Sequence, residues 1–281
     1  MENIIITGAT GKIGRALISR IVARKSERTE LFALVRQKPS LPLPPTVHLI
    51  YGSLPSALPN PYAIPKHSTF IHLAGITHSC VPGEYARINT EGTRSLVELA
   101  KTQSAKHFLF VSSRAIHPSG GPYSLSKREA EQIVTSSGLP YTILRFGEVH
   151  GTDGKEGLDQ LLNLVRKGRL VFLPGDGEAR VAPLSLQKAI GSLEKLLKAK
   201  PRNETITVAA PREITLNRIV EEAKRTSGKN PLVIHIPYWI MRLTAPFMCL
   251  LLHPPFYPDQ IHRLLSPKEV GSGKSTLQTL L

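Results

Sequence analysis

The chain has 281 residues, 41% hydrophobic and 20% charged, enough apolar material for a packed core and too much for a disordered protein. Its 36 Lys and Arg outnumber 21 Asp and Glu, giving a formal charge of +15 that favours anionic partners: a phosphorylated cofactor, a nucleotide-linked substrate, nucleic acid or an acidic membrane surface. The basic residues are spread along the chain with no run of five, which argues against nucleic acid and leaves much of the charge as a solvated face.

Short, continuous apolar runs with strand character occupy residues 4–7, 31–35, 47–51, 70–73, 108–112 and 141–146. Amphipathic segments at 13–24, 84–101 and 124–137 lie between several of them. This alternation predicts an α/β fold: a doubly wound parallel sheet covered on both faces, with its ligand at the carboxyl ends of the strands. Residues 41–45, Leu-Pro-Leu-Pro-Pro, form a stiff connector between the second and third strands. After Gly151 the pattern loosens. It predicts a helix at 158–166, a strand at 170–173, the turn Pro174-Gly175-Asp176-Gly177, a helix at 186–198 and a strand at 205–208. A helix at 216–226 and an apolar run at 232–236 follow, then a Pro-interrupted hydrophobic region. The most hydrophobic stretch, 239–252, is broken by Arg242 and Pro246 and is too short to span a bilayer; a buried helix or a peripheral membrane contact remains.

The first strand runs into Thr7-Gly8-Ala9-Thr10-Gly11-Lys12-Ile13-Gly14, and a helix follows. In a strand–turn–helix setting, Gly8 permits the tight turn, Gly11 lets the backbone approach a pyrophosphate and Gly14 lets the helix pack on the strand. The helix N-terminus offers free N–H groups and a partial positive charge to phosphates. Arg36 follows the second strand, where an acid would bind a ribose 2′-hydroxyl and a base suits a 2′-phosphate. Arg36, with Lys38, therefore favours NADP over NAD.

The spacing Thr-Gly-x-x-Gly-x-x-Gly resembles the fingerprint of the extended short-chain dehydrogenases/reductases, the epimerase/dehydratase branch. Further segments match in order. Ser53-Leu54 stands where the family has an Asp-Leu pair near the adenine. His72-Leu73-Ala74-Gly75 resembles the fourth-strand segment whose backbone lies along the cofactor, with His72 itself read as a core or supporting histidine. Asn89 opens an Asn-x-x-Gly-Thr motif and either ties the central strands or supports a proton relay, the structural role being favoured. The resemblance implies cofactor contacts from Gly8, Thr10, Gly11, Lys12, Ile13, Gly14, Arg36, Ser53, Leu54, Leu73, Ala74, Gly75, Tyr123 and Lys127. It covers residues 1 to about 265 and implies a Rossmann domain at 1–150, with 184–210 returning to it. A substrate subdomain at 151–183 and 211–265 and a flexible tail at 266–281 complete the division.

Ser112-Ser113 ends the fifth strand, and Tyr123 and Lys127 lie four apart on the following helix, on one face. A free phenol, with a pKa of about 10, is a poor base near neutrality, and a nearby ammonium lowers that value. Tyr123 can then exchange a proton with a substrate hydroxyl while hydride moves to or from the cofactor. In the family pattern Lys127 also bonds the nicotinamide ribose, and Ser113, rather than Ser112, holds the reacting oxygen. Arg114 stands where relatives that dehydrate often carry an acid, which argues against dehydration.

Residues 144–151 resemble the family's sixth-strand segment leading to the substrate. Arg180 is a candidate for a substrate diphosphate, or a plain surface arginine. The leading expectation is an NAD(P)-dependent epimerase or reductase acting on a nucleotide sugar. Two alternatives are a reductase of a hydrophobic alcohol of steroid or flavonoid type, and a non-catalytic assembly protein that keeps the cofactor. The family often dimerises through helices corresponding to 84–101 and 124–137. Three features depart from it: a loop of nine residues between Ser113 and Tyr123, the apolar, Pro-rich 239–265, and the ending after Ser266. Residues 271–276 imitate a phosphate-binding loop but lack its first glycine and a preceding strand. Cys80 and Cys249 make neither a disulfide framework nor a metal-ligand spacing, so no metal and a reducing, cytoplasmic setting are expected; no signal peptide precedes the first strand.

Overall fold

The computed structural model describes residues 2–24, 29–152, 157–250 and 257–268. The sheet begins with β1 (Glu2–Thr7), followed by α1 (Lys12–Ala23), β2 (Thr29–Val35), β3 (Val47–Tyr51) and β4 (Thr69–His72). A π-helical turn, Ala86–Glu91, leads into α2 (Gly92–Thr102). Then come β5 (His107–Ser113), α3 (Gly121–Thr135) and β6 (Tyr141–Phe146). Beyond them lie β7 (Glu148–His150), α4 (Gly157–Arg166), β8 (Val171–Pro174), β9 (Arg180–Val181), β10 (Pro183–Ser185) and α5 (Leu186–Leu197). The remaining elements are β11 (Glu204–Val208), β12 (Ile214–Thr215), α6 (Leu216–Ser227), β13 (Val233–Ile236), α7 (Tyr238–Met248) and α8 (Pro258–Leu265).

Seven parallel strands form the central sheet in the order β11-β6-β5-β4-β1-β2-β3. The strands are continuous apolar runs because both faces are covered. Ile4 and Ile6 point toward Leu17 and Ile18 of α1 and Ile190 and Leu193 of α5. Ile5, one residue out of phase, joins Phe70, Phe108 and Phe110 against Leu96 of α2 and Ala130 of α3. Chain order reverses between β1 and β4, so their carboxyl ends open a crevice.

The rest of the chain builds a smaller unit. Its pairs are β8 with β13 and β9 with β12, and α4 and α6 pack Leu158, Val165, Ile219 and Val220 around Val171 and Leu173. The apolar region read as Pro-interrupted is a helix, α7, whose Met241 and Ala245 pack on Ile261 of α8. No helix among the described residues is long and apolar enough to cross a membrane.

Two expectations are corrected here. The segment 84–101 is not one α-helix: it opens as a π turn around Asn89, whose side chain is engaged by the loop after β4. Cys80 and Cys249 are not unlinked: they form a disulfide with Cα atoms 5.6 Å apart, across a sequence separation of 169. The return of α7 to the loop after β4 creates that proximity, which no spacing in the sequence expresses, and a reducing setting can no longer be argued from these cysteines. Of the stretch expected as a flexible tail, Ser266 and Lys268 are held: Ser266 Oγ donates to the Ser119 carbonyl at 2.9 Å and Lys268 Nζ to that of Arg180 at 3.1 Å. The phosphate-loop imitation at 271–276 lies outside the described residues.

Gly14 has no room for a side chain, because a Cβ there would stand 2.8 Å from Ala9 Cα. Gly14→Ala is expected to destabilise the protein by about 1–3 kcal/mol through overpacking, read as a lower denaturant midpoint. An unchanged midpoint would show that the turn can yield.

Candidate active site

The carboxyl ends of the first six strands lie along one edge of the parallel sheet. Gly8 carries a positive φ of 69°, and a Cβ on it would stand 2.7 Å from the backbone of Leu73 and Ala74, so only glycine fits. Gly11 donates its N–H to the Gly8 carbonyl at 3.0 Å and stands at the N-cap of α1, which no side chain caps. Thr10 is exposed at this turn, and Lys12 and Ile13 are half-buried beside it. A helix start whose N-cap is a glycine suits a dinucleotide pyrophosphate. Arg15 braces the turn, donating to the carbonyls of Thr10 (3.0 Å) and Leu41 (2.8 Å).

Arg36 and Lys38 are exposed just beyond β2. Ser53 and Leu54 follow β3, where Ser53 and Ala57 exchange backbone hydrogen bonds of 2.6 and 2.8 Å. Leu73 and Ala74 reach back to Thr7, through its carbonyl at 3.2 Å and its hydroxyl at 3.2 Å, and Gly75 is exposed next to them.

A buried polar network lies behind the crevice. His72 joins Thr7 Oγ1 (2.7 Å) to Thr93 Oγ1 (3.0 Å), and burial, with the Lys127 charge, lowers its pKa to about 3. Its imidazole is neutral and structural. Asn89 holds both backbone groups of Ile76, at 2.9 and 3.1 Å, and donates to Ser126 Oγ at 3.1 Å.

Ser113 lies at the end of β5 and Tyr123 in the first turn of α3, with the serine hydroxyl near enough to the phenol to favour its ionised form. Ser113 Oγ also accepts from the Ala115 N–H at 3.1 Å, which fixes its rotamer. The Ser112 hydroxyl is buried without a hydrogen-bond partner. Lys127, buried one turn beyond Tyr123, donates to the Val111 carbonyl at 2.9 Å and lies 4.3 Å from the Phe110 ring centroid. Burial lowers its pKa to about 8, against the opposing pull of Glu131. The sequence implied a phenol lowered by this ammonium. In the folded chain, burial instead pushes the Tyr123 phenol above its ordinary value, while Arg263 and Ser113 pull it down. The cation on the phenol face is Arg263, 4.5 Å from the ring centroid.

Arg263 belongs to a group of C-terminal residues that sequence reasoning missed. Asp259 and Arg263 of α8 form an ion pair at 2.8 Å, and Asp259 Oδ1 accepts the Tyr123 N–H at 3.0 Å. Burial pushes the Asp259 carboxyl up, with Arg263 opposing. On the substrate side, Glu148 of β7 faces Lys268 at 3.5 Å and accepts the Ala182 N–H at 2.7 Å. Arg114 is buried and paired with Glu213. Arg180 is exposed, and its carbonyl rather than its guanidinium is what Lys268 engages. The one available signal was the i, i+4 spacing of Asp259 and Arg263, in a region that prolines made look irregular.

A family model described as NAD(P)H-binding matches residues 8–168, more than half of the chain. The chain is similar to the ceramide reductase of Caulobacter vibrioides, 27% identical over 238 residues, covering 83% of this chain and 73% of that one. It is also similar to a UDP-N-acetyl-alpha-D-glucosaminuronate decarboxylase of Bacillus cytotoxicus, 21% identical over 267 residues and 83% of each chain. Among solved structures, MoeE5 in complex with UDP-glucuronic acid and NAD superposes with a TM-score of 0.72 at 22% identity, over 84% of this chain and 85% of that one.

The neutral His72 makes acid stability a test of the network. Its folded pKa of about 3 lies below the unfolded 6.5, so the unfolded chain gains a proton that the folded chain refuses. Stability is complete above pH 6.5 and falls as pH drops toward 3. The melting temperature of the parent chain is expected to fall more steeply across that window than that of His72→Gln. Parallel curves would contradict it.

Proposed function

The chain belongs to the NAD(P)H-binding family and has the extended short-chain dehydrogenase/reductase fold, and on that premise we propose that it interconverts a carbinol and a ketone through Tyr123, Lys127 and Ser113. The observation that supports this reading is the buried Tyr123 phenol, which the Ser113 hydroxyl inclines toward its ionised form, with Lys127 one turn further along α3. A dinucleotide whose pyrophosphate lay on the glycine turn would supply hydride-transfer chemistry. In oxidation Tyr123 accepts the hydroxyl proton, and in reduction it returns a proton to the carbonyl oxygen. Ser113 holds that oxygen. The Lys127 amine, with a pKa of about 8, exchanges protons near neutrality, which supports a role in replenishing the phenol. A protein that kept the cofactor for structure alone would have no need of a buried phenol beside a serine and a lysine, which argues against an assembly role. Arg36, exposed at the end of β2, supports NADP as the preferred cofactor.

For the substrate, the net charge of +15 and the exposed Arg180 support a nucleotide-linked sugar, processed by epimerisation or by reduction of a keto sugar. A second reading, a hydrophobic alcohol, is favoured by one feature. Trp239, Leu243, Phe247 and Leu250 are 64–82% exposed and run along one face of α7 and its end, which also supports peripheral contact with a membrane. A homodimer through α2 and α3 is supported by the groove between them, lined by Glu91, Arg94, Glu98 and Lys101.

Purified protein incubated with NADPH and a panel of UDP- and dTDP-4-keto sugars, and separately with long-chain aliphatic ketones, distinguishes the two substrate readings by absorbance. Tyr123→Phe is expected to lose about 100-fold or more in kcat with cofactor binding retained. Equal turnover in the two proteins would overturn the mechanism. Arg36→Asp is expected to shift preference from NADP toward NAD, and an unchanged ratio of affinities would overturn the cofactor assignment.

A further inference from the structure

Helix α3 begins without a cap of its own. Gly120 stands at the N-cap with no side chain, and Pro122 has no N–H, so the Tyr123 N–H needs an acceptor from elsewhere. Asp259 supplies it at 3.0 Å, from 136 residues downstream. The other oxygen of Asp259 pairs with Arg263 Nε at 2.8 Å, one turn along α8. Arg263 is anchored a second time, donating Nη2–H to the Thr77 carbonyl at 2.9 Å, and its guanidinium lies over the Tyr123 ring. Asp259 is 4% exposed and the Arg263 side chain 16%, so solvent screens the pair weakly. Ile261, between them, is buried against Met241 and Ala245, and His262 packs on Gly121 at the start of α3.

We propose that Asp259 and Arg263 are a positioning pair for Tyr123: the carboxylate fixes where its backbone stands, and the guanidinium supplies the positive charge that favours its phenolate. The inference rests on the reading of Tyr123 as the proton-transfer group. The groups facing the phenol from each packed element are Arg263 and Asp259 of α8, Glu148 of β7 and the Ser113 hydroxyl of β5. Tyr85 meets the ring edge-on at 5.9 Å, and Lys127 shares its helix. Glu148 and Asp259 oppose ionisation. The Lys127 ammonium is drawn to the Val111 carbonyl and the Phe110 ring. Among the described residues, Arg263 is the cation stacked on the phenol, and it leads the influences that offset burial. In the oxidising direction its loss shifts the rising limb of the pH–rate profile to higher pH. In the reducing direction the falling limb shifts the same way, because both report the same phenol.

The test needs no substrate. The full chain is prepared with tyrosine isotope-labelled at Cζ, and the Tyr123 resonance is assigned by its loss in Y123F. Its ionisation midpoint is then followed by NMR in the parent chain, R263Q, R263K and D259N. The glutamine keeps a donor for Thr77 without the charge, and its midpoint is expected to rise by about one pH unit or more. The lysine keeps the charge, and its midpoint is expected to stay within a few tenths of the parent value. Asparagine at 259 keeps an acceptor for the Tyr123 N–H and removes a negative charge, so the midpoint is expected to fall. An unchanged midpoint in R263Q, equal shifts in R263Q and R263K, or a rise in D259N each overturns the pair. D259N decides the matter where R263Q does not fold. Full turnover in Y123F would overturn the proposed function while leaving this titration readable. An inactive Y123F beside an unshifted R263Q would overturn only the positioning pair.

Discussion

The backbone of Gly8 lies against the backbone of Leu73 and Ala74 too closely for any side chain to intervene. That contact sets the distance between the ends of β1 and β4, the two strands between which chain order reverses. Gly14 repeats the constraint on the other side of the turn, bringing α1 down onto Ala9. With these approaches fixed, the uncapped first turn of α1 points into the crevice, and the segments after β2 and β3 have a surface to line. A bulkier residue at either position would move the helix, and with it the phosphate cradle, relative to the sheet.

Helix α3 is held on the sheet by polar contacts as well as by Ala130 and Val134 in the core. Thr7, His72 and Thr93 link β1, β4 and α2 through one neutral imidazole. Asn89 and Thr90 continue the connection to Ser126 of α3. On the far side, Arg145 of β6 grips Glu131 of α3 through Nε at 3.0 Å and Nη2 at 2.6 Å. Buried bonds of this kind tolerate little sliding, because a displaced partner leaves a desolvated group unpaired. The helix carrying Tyr123 and Lys127 is therefore held in register with the sheet.

The sheet was legible because its code is local. β3 and β6 coincide with the apolar runs at 47–51 and 141–146, and the other sheet strands match theirs to within two residues at either end. Gly8, Gly11 and Gly14 stand out through spacing, as do Ser113, Tyr123 and Lys127. What stayed hidden depends on residues distant in sequence. Lys127 looked like the cation for the phenol because it is four residues away, whereas the guanidinium on the ring comes from 140 positions downstream. Cys80 and Cys249 looked unrelated for the same reason. The π turn at Ala86–Glu91 was unreadable because helical periodicity does not reveal a single inserted residue.

The C-terminal cap also gives the protein an order of assembly. Every strand of the central sheet is complete by Val208, so the dinucleotide fold has all its parts while the last segments are still leaving the ribosome. The acceptor for the Tyr123 N–H is not made until residue 259, nor the guanidinium for its ring until 263. A chain that stops before residue 259 therefore carries every strand of the central sheet without the carboxylate and guanidinium that meet Tyr123. Under the proposed function, such a chain would keep the glycine turn and lack the two groups that position the phenol.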